Sequence, residues 1–276
     1  MKLAFNTWVY SSFPVWVPSY PLDYVVPRLA EIGYDGIELG AASPHAFPDY
    51  TGPQRRGEIR RLFENNKIAL VSMLPAPGGG AGFNVASPLA EERAAAIDQY
   101  KKVVVLCAEL GGKIVLYVAG WQVFGTSREE AWAWSREALA DVATTAAAHG
   151  ITMCIEPTSA DSNLVDSADD AIRLKAEVGL ANIKLMFDTY HTIYRNEVAS
   201  DYVHRFGKDL AHVHLADSNR LPPGEGTGSF ETLIETLKKT GFDGFLTMEI
   251  GFNRRDVDPD AFAQRAHDYI RKLAGP

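Results

Sequence analysis

Apolar and polar residues alternate along residues 211–216, which is the periodicity of a strand with one face in a core. The alternation places His212 and His214 on the same face of this predicted strand. Two imidazoles on an inward face are costly unless something binds them. The strand then runs into a polar loop that ends at Arg220. We therefore predict that His214 is a ligand of a divalent metal at the mouth of a barrel.

Short strand-like runs alternate with longer segments of helical periodicity along the whole chain. The predicted strands cover residues 3–7, 37–39, 68–74, 114–119, 151–156, 183–188, 210–216 and 245–250. The predicted helices cover residues 22–32, 54–66, 88–110, 128–149, 166–178, 199–206, 230–239 and 259–273. Regular alternation indicates a parallel sheet in an α/β protein. The number of units predicts one (β/α)8 TIM barrel that forms a single catalytic domain over residues 1–276.

The structural alternative is an open, doubly wound sheet. That fold usually has a glycine-rich phosphate turn after its first strand. Residues 7–13 follow the first predicted strand here and contain no glycine. The closed barrel is therefore the favoured architecture.

The carboxyl-terminal ends of barrel strands carry the functional residues of this fold. The last four predicted strands end in Glu156, Asp188, His214 and Glu249, and the parity of each strand turns that residue inward. Three carboxylates that converge in a closed space repel one another and raise each other's pKa values. A divalent cation removes this conflict. Oxygen-rich ligation with one imidazole suits Mn²⁺, which we expect, or Co²⁺ or Mg²⁺.

Charge and composition argue against nucleic acid and a membrane as binding partners. The net charge is −8 and the acidic residues are spread along the chain, which argues against nucleic acid because its binding proteins usually carry a basic patch. No apolar run approaches the length of a membrane span, and the N-terminus lacks the apolar core of a signal peptide, so we expect a cytoplasmic protein. Cys107 and Cys154 lie in apolar runs and are expected to be buried free thiols.

Five short motifs follow one another in the second half of the chain. They are Ile-Glu-Pro at 155–157, Phe-Asp-Thr-Tyr-His at 187–191, His-Val-His at 212–214 with Asp-Ser-Asn-Arg at 217–220, Pro-Gly-Glu-Gly at 223–226, and Met-Glu at 248–249. In this order they resemble the motifs of xylose-isomerase-like TIM barrels. Within that superfamily the chain is most similar to ketose 3-epimerases of the tagatose/allulose type and to fructoselysine 3-epimerase.

The resemblance implies roles for the residues at the strand ends. Glu156, Asp188, His214 and Glu249 match the metal ligands of the family. Glu156 and Glu249 also match its acid/base pair, which works on opposite faces of the substrate. The implied substrate is a small keto-sugar.

The resemblance also implies substrate contacts and shows one departure. His191 and Arg220 match substrate-binding positions. The tagatose/allulose-type enzymes carry a further glutamate six residues after the first ligand, where this chain has Ser162, preceded by Asp161. We expect Asp161 to take the role of that glutamate, which leaves the identity of the sugar open.

The residues themselves suggest the same chemistry. Removal of a proton next to a carbonyl builds negative charge on oxygen, and a divalent cation stabilises the cis-enediolate that results. Deprotonation on one face and reprotonation on the other inverts the carbon. Glu156 and Glu249 come from strands 5 and 8 and are expected to face each other across the mouth. The residues do not show which carbon is reached. The resemblance implies epimerisation at C3, which is the prediction; aldose–ketose isomerisation and an inosose-type isomerase or dehydratase remain open alternatives.

Two other functions are alternatives to a keto-sugar epimerase. An abasic-site endonuclease shares the barrel but needs additional histidines on strands 3 and 4 and in the loop after strand 7. The sequence has none at those places. A non-catalytic sugar-binding protein would not need two opposed glutamates on its metal.

For each of the other candidate site residues, the sequence allows two interpretations. His212 either orients the site from one layer below His214 or is a core histidine with satisfied hydrogen bonds. Glu38 ends the second strand and either reaches the substrate or pairs with a lysine. The first loop either covers the sugar as an aromatic lid, with Trp8 in contact, or packs against a partner subunit of a dimer or tetramer. Its aromatic residues are Trp8, Tyr10, Phe13, Trp16 and Tyr20.

Overall fold

Eight parallel strands close into a barrel in which each strand pairs with its sequence neighbours and the first pairs with the last. The computed structural model describes residues 1–11, 18–75, 82–252 and 254–275. The strands are β1 Lys2–Asn6, β2 Gly36–Ala41, β3 Ala69–Pro75, β4 Ile114–Tyr117, β5 Thr152–Ile155, β6 Ile183–Asp188, β7 Leu210–Leu215 and β8 Phe245–Met248. The predicted (β/α)8 TIM barrel is confirmed.

Helices connect the strands and surround the barrel. They are α1 Leu22–Ile32, α2 Pro53–Asn66, α3 Ala90–Leu110, α4 Arg128–Ala148, α5 Ala168–Val178, α6 Thr189–Tyr194, α7 Ala199–Phe206, α8 Glu231–Lys239 and α9 Pro259–Ala274. Local sequence sets several helix ends. Ser127 and Glu130 form a reciprocal capping box at the start of α4. Gly33 ends α1 with a φ of 109°, a conformation that glycine adopts without steric cost.

The structure differs from the predicted pattern between β6 and β7. One helix was expected there, but α6 precedes α7. The helix α6 begins directly at the end of β6, where the side chain of Asp188 accepts a hydrogen bond from the backbone amide of Tyr190 at 2.9 Å. Six residues are too few to show helical periodicity in a sequence. This short helix carries His191.

Two apolar layers stabilise the barrel. The larger one fills the space between the strands and the helices, and Phe5, Tyr117 and Phe187 are among its buried residues. A smaller cluster is formed by Trp8, Ala42, Leu74, Leu116, Cys154 and Met186. Both cysteines are buried and free, as predicted. Among the described residues, no helix combines the length and apolar character that a membrane crossing requires.

The strand register places the predicted site residues at one rim. Asp188 of β6 is paired with His214 of β7, and Leu215 of β7 is paired with Met248 of β8. The next residue, Glu249, donates its backbone amide to the carbonyl of Leu215 at 3.2 Å. Because adjacent parallel strands bring equivalent ends together, these side chains converge at the carboxyl-terminal mouth of the barrel.

Candidate metal centre

Four buried side chains at the barrel mouth each offer one ligand atom, and these atoms all lie within 4.8 Å of one another. They belong to Glu156, Asp188, His214 and Glu249. His214 Nδ1 lies 3.6 Å from Glu156 Oε1 and 3.3 Å from Glu249 Oε2. Both ring nitrogens of His214 and Glu156 Oε1 are buried without a hydrogen-bond partner among the described residues. Unmatched lone pairs in such a cluster fit a divalent cation.

Arg220 is the main positive charge among these carboxylates. Its side chain is 2% exposed, and its guanidinium donates to Asp188, to Glu249 Oε2 at 2.7 Å and to Asp161 Oδ2 at 3.2 Å. The guanidinium also lies over the ring of Tyr190, 4.0 Å from its centroid. Arg220 therefore balances part of the negative charge that three converging carboxylates bring into the barrel.

Burial and neighbouring charges shift the pKa values of the carboxylates in different directions. Burial raises the pKa of Asp188, against the opposing effect of Arg220. Burial also raises the pKa of Glu156. For Glu249, burial alone would raise the pKa, but Arg220 and His214 outweigh it and lower the value. A cluster in which some carboxyl groups favour the neutral form and others the charged form would bind a divalent cation with release of protons.

A second polar layer lies directly beneath His214. Glu38 is fully buried there and accepts hydrogen bonds from Asn6 Nδ2 and Ser72 Oγ, both at 2.6 Å. His212 Nε2 lies 3.0 Å from Glu38 Oε2, and His214 Nε2 lies 2.9 Å from Glu38 Oε1. The predicted substrate contact Glu38 and the predicted orienting residue His212 are therefore both part of this lower layer.

The predicted substrate contacts His191 and Asp161 come together with Arg220. His191 is 4% exposed, its Nδ1 accepts the backbone amide of Ala160 at 3.2 Å, and its Nε2 lies 3.7 Å from Asp161 Oδ2. Burial and the nearby charge of Arg220 keep the pKa of His191 well below its usual range. A neutral imidazole can donate or accept a hydrogen bond, which suits contact with a sugar hydroxyl.

The aromatic first loop is more buried than the sequence suggested. Trp8 is 3% exposed, and its ring lies so close to Gly40 that a Cβ at that glycine would be 3.0 Å from it. Tyr10 is fully buried and donates a hydrogen bond to Asp260 at 2.7 Å, and the ring of Tyr20 packs edge-on against it. The aromatic residues Phe13 and Trp16 lie outside the described residues.

Three residues that organise the site were given no role in the sequence-based prediction. Asn6 and Ser72 bind Glu38 in the lower layer. Asp217 is fully buried, and its carboxylate accepts the backbone amides of Ser218, Gly224, Gly226 and Gly228 at 2.7–3.0 Å. The inward parity of polar residues on β1 and β3 is a signal that would have identified Asn6 and Ser72, had the test been extended from the last four strands to the first four.

Comparisons with known proteins identify the family of this chain and relatives that align with most of its length. The family model of the xylose isomerase-like TIM barrel matches residues 26–273. Fructoselysine 3-epimerase of Shigella flexneri is 25% identical over 260 residues, covering 92% of this chain and 93% of that protein. D-psicose 3-epimerase of Ruminiclostridium cellulolyticum is 28% identical over 248 residues, covering 86% and 81%.

The fold is also shared with a solved structure. D-psicose 3-epimerase of Clostridium cellulolyticum H10, determined with D-tagatose, superposes with a TM-score of 0.83 at 23% identity and covers 100% of both chains. The curated relatives that span most of this chain are named as epimerases or isomerases, which confirms the predicted enzyme class. The match of the family model over residues 26–273 shows that the chain belongs to the xylose isomerase-like TIM barrel family.

Proposed function

We propose that this protein is a divalent-metal-dependent epimerase of a keto-sugar that inverts the configuration at C3. The observation that carries this proposal is the cluster of four buried side chains whose ligand atoms lie within 4.8 Å of one another. Two of them are glutamates, Glu156 after β5 and Glu249 after β8, with the strands of Asp188 and His214 between them in the barrel. The relatives, which act as 3-epimerases, support the same assignment.

The donor set favours Mn²⁺ among the divalent cations. Three carboxylates and one imidazole from Glu156, Asp188, His214 and Glu249 form an oxygen-rich site without thiolates, which also accommodates Co²⁺ or Mg²⁺. When bound, such a cation stabilises negative charge on the substrate oxygens next to the reacting carbon.

Each glutamate transfers one proton. The carboxylate of Glu249, which Arg220 and His214 keep in the charged form, removes the C3 proton on one face, and the electron pair of the broken C–H bond moves through C2 onto the carbonyl oxygen. Glu156, whose pKa is raised by burial, delivers a proton to C3 on the opposite face while the carbonyl re-forms. The carbon is thereby inverted without any net gain or loss of atoms or electrons, and proton exchange with solvent returns both glutamates to their starting forms. In the reverse reaction the two glutamates exchange roles.

The remaining polar groups of the mouth orient the sugar. We assign Arg220 and His191 to substrate oxygens because both are buried and lie beside the reacting carboxylates. Asp161 has a 56% exposed side chain and contacts Arg220, so it stands between the site and solvent. We assign it to a hydroxyl farther from C3, where its shorter side chain relative to glutamate would change which sugar fits.

The test is exchange with solvent deuterium. Metal-stripped protein reloaded with Mn²⁺ is incubated in deuterium oxide with D-fructose, D-tagatose, D-psicose, D-ribulose and fructoselysine, and the products are analysed by NMR. We expect a C3 epimer with deuterium at C3 from at least one ketose. Formation of an aldose with deuterium at C2, or the absence of exchange in every ketose, would contradict the proposal.

Substitution of the two glutamates assigns the proton transfer. Glu156→Gln and Glu249→Gln retain the side-chain size but cannot take up the proton, so each is expected to lower kcat by a factor of roughly 100 to 10,000. The matched control is Glu64→Gln, whose side chain is 65% exposed on α2 and lies outside the site. The control should retain wild-type turnover. Turnover in either site variant at the control's rate would exclude that glutamate from the chemistry.

A further inference from the structure

We propose that Glu38 is a positioning residue of the metal centre, which orients His214 so that Nε2 carries the proton and Nδ1 is free for the metal. The inference rests on the metal site of the proposed function. In this role Glu38 supports the metal ligand His214 and does not contact the substrate. Four observations on the lower polar layer support this assignment.

Polar groups surround both oxygens of the Glu38 carboxylate. Oε1 accepts a hydrogen bond from Asn6 Nδ2 at 2.6 Å, and His214 Nε2 lies 2.9 Å from the same oxygen, a close contact without hydrogen-bond alignment. Oε2 lies 2.6 Å from Ser72 Oγ and 3.0 Å from His212 Nε2, and both are hydrogen-bond partners. An ionised carboxylate has about four acceptor positions, so three hydrogen bonds and the close contact with His214 occupy its capacity. Little capacity is left for a substrate hydroxyl.

The same saturation argues against a second metal ion in the lower layer. Glu38, His212 and His214 also offer atoms close enough to one another to hold a cation. However, Asn6 and Ser72 are proton donors, and both point at the carboxylate that such a cation would need. Glu156 differs, because its Oε1 is buried without a hydrogen-bond partner among the described residues. Of the buried carboxylate oxygens in the two layers, the one without a hydrogen-bond partner among the described residues therefore belongs to the upper layer.

The two ring nitrogens of His214 face different surroundings. Nε2 faces Glu38 at 2.9 Å, whereas Nδ1 faces Glu156 at 3.6 Å and Glu249 at 3.3 Å. A neutral imidazole carries one proton, and a carboxylate beside Nε2 favours the proton on that nitrogen. Nδ1 then presents a lone pair toward the other metal ligands. Histidines that bind metals generally donate their second nitrogen to such a partner.

Asn6 connects this layer to the start of the first loop. Its Nδ2 donates to Glu38, and its Oδ1 accepts the backbone amide of Trp8 at 2.8 Å. Both ends of the amide are therefore used. The turn after β1 begins at this bond between Asn6 and Trp8. The side chain of Asn6 therefore links the position of Glu38 to that of the aromatic segment at the mouth.

Glu38→Gln is the informative variant because it retains the size of the side chain and changes its hydrogen bonding. The neutral amide no longer supplies the negative charge that favours the proton on His214 Nε2, so the metal-facing lone pair on Nδ1 becomes less available. We expect the affinity of the metal-free protein for Mn²⁺, measured by calorimetric titration without substrate, to fall by roughly 10- to 100-fold. Glu38→Asp, which retains the charge, is expected to recover part of the loss.

One control variant and three outcomes decide the positioning role of Glu38. Glu64→Gln, on the surface of α2, should bind Mn²⁺ like the wild type. A folded Glu38→Gln variant with wild-type Mn²⁺ affinity would overturn the positioning role alone. Failure of the wild type to bind Mn²⁺ would contradict the metal centre and this inference together. Loss of turnover with unchanged Mn²⁺ affinity would assign Glu38 to the substrate instead.

A second measurement applies even if the variant does not fold. In the wild-type protein loaded with diamagnetic Mg²⁺, the ¹⁵N chemical shifts and two-bond couplings of His214 report which ring nitrogen carries the proton. We expect the Nε2–H tautomer, assigned by comparison with a His214→Asn variant. The Nδ1–H tautomer would contradict the orientation by Glu38.

Discussion

At the scale of single residues, the charge of Arg220 is the feature on which the metal-free site depends. The guanidinium is buried between Asp188 and Glu249 and reaches Asp161 at the edge of the site. Its backbone has a φ of 56°, and Asn219 before it has a φ of 58°, so two successive non-glycine residues adopt the left-handed conformation. Such conformations persist where the surroundings require them, and they are concentrated at functional sites.

Replacement of this arginine should affect the metal-free protein more than the loaded one. Arg220→Met retains the aliphatic length but leaves two buried carboxylates without their counter-charge, a change that typically costs about 3–5 kcal/mol. We expect a loss of this size in the free energy of urea unfolding without metal, and a smaller loss with saturating Mn²⁺, which supplies positive charge. Arg60→Met, in an exposed pair on α2, is the control. Equal losses with and without Mn²⁺ would contradict this role of Arg220.

At the scale of elements, the segment after β7 is organised by one side chain. Asp217 accepts four backbone amides of residues 218–228, and this arrangement fixes the turn that contains Arg220. Residues 218–220 form a tight turn in which Asn219 and Arg220 have left-handed backbone angles, and residues 224–227 are exposed. A change in this segment should therefore affect the site more than the stability of the barrel.

Gly226→Ala tests that expectation. A Cβ at Gly226 would lie 2.3 Å from Ser218 Oγ and 2.5 Å from Asp217 Oδ1, so the alanine must displace the segment that positions Arg220. We expect kcat/KM to fall by roughly tenfold to a hundredfold, as when a binding group is misplaced by about 1 Å. Gly52→Ala is the matched control, since no atom lies within 4 Å of its Cβ. Similar kinetic constants in both variants would contradict the organising role of Asp217.

The strand ends of this fold were predictable from local patterns, whereas the pairings between residues of the lower layer were not. Parity along β5 to β8 is a property of consecutive residues, so it identified Glu156 and Asp188 without knowledge of the fold. The role of Glu38 depends on a pairing with His212 across the barrel, 174 residues away in sequence. No local pattern records such a contact. The short helix α6 escaped prediction because its start depends on the side chain of Asp188 rather than on periodicity.

At the scale of the whole molecule, a buried histidine makes stability depend on pH outside the metal site. His45 is 4% exposed and lies 2.8 Å from the carbonyl oxygen of Tyr20, so it connects the loop after β2 to the segment before α1. Burial lowers the pKa of His45 to about 4. The unfolded chain therefore binds a proton at this residue between pH values of about 6.5 and 4, where the folded protein does not.

The consequence is a loss of stability on acidification. Above pH of about 6.5 His45 is neutral in both states, and as pH falls toward about 4 its contribution decreases by up to about 3 kcal/mol. His45→Gln can still donate to Tyr20 and should reduce the slope of the unfolding free energy against pH in this range. His149→Gln, at an exposed histidine, is the control. A wild-type slope in His45→Gln would contradict this assignment.

The four metal ligands meet only when β5 to β8 pair side by side, because they come from the ends of these four successive strands. The most direct test of the central claim is therefore a calorimetric titration of Mn²⁺ into the metal-stripped protein and its variants. We predict one ion per chain for the wild type and an affinity lower by roughly tenfold or more in Glu156→Gln, Asp188→Asn, His214→Asn and Glu249→Gln. No binding by the wild type, or wild-type affinity in all four variants, would contradict the claim that these side chains form one metal centre.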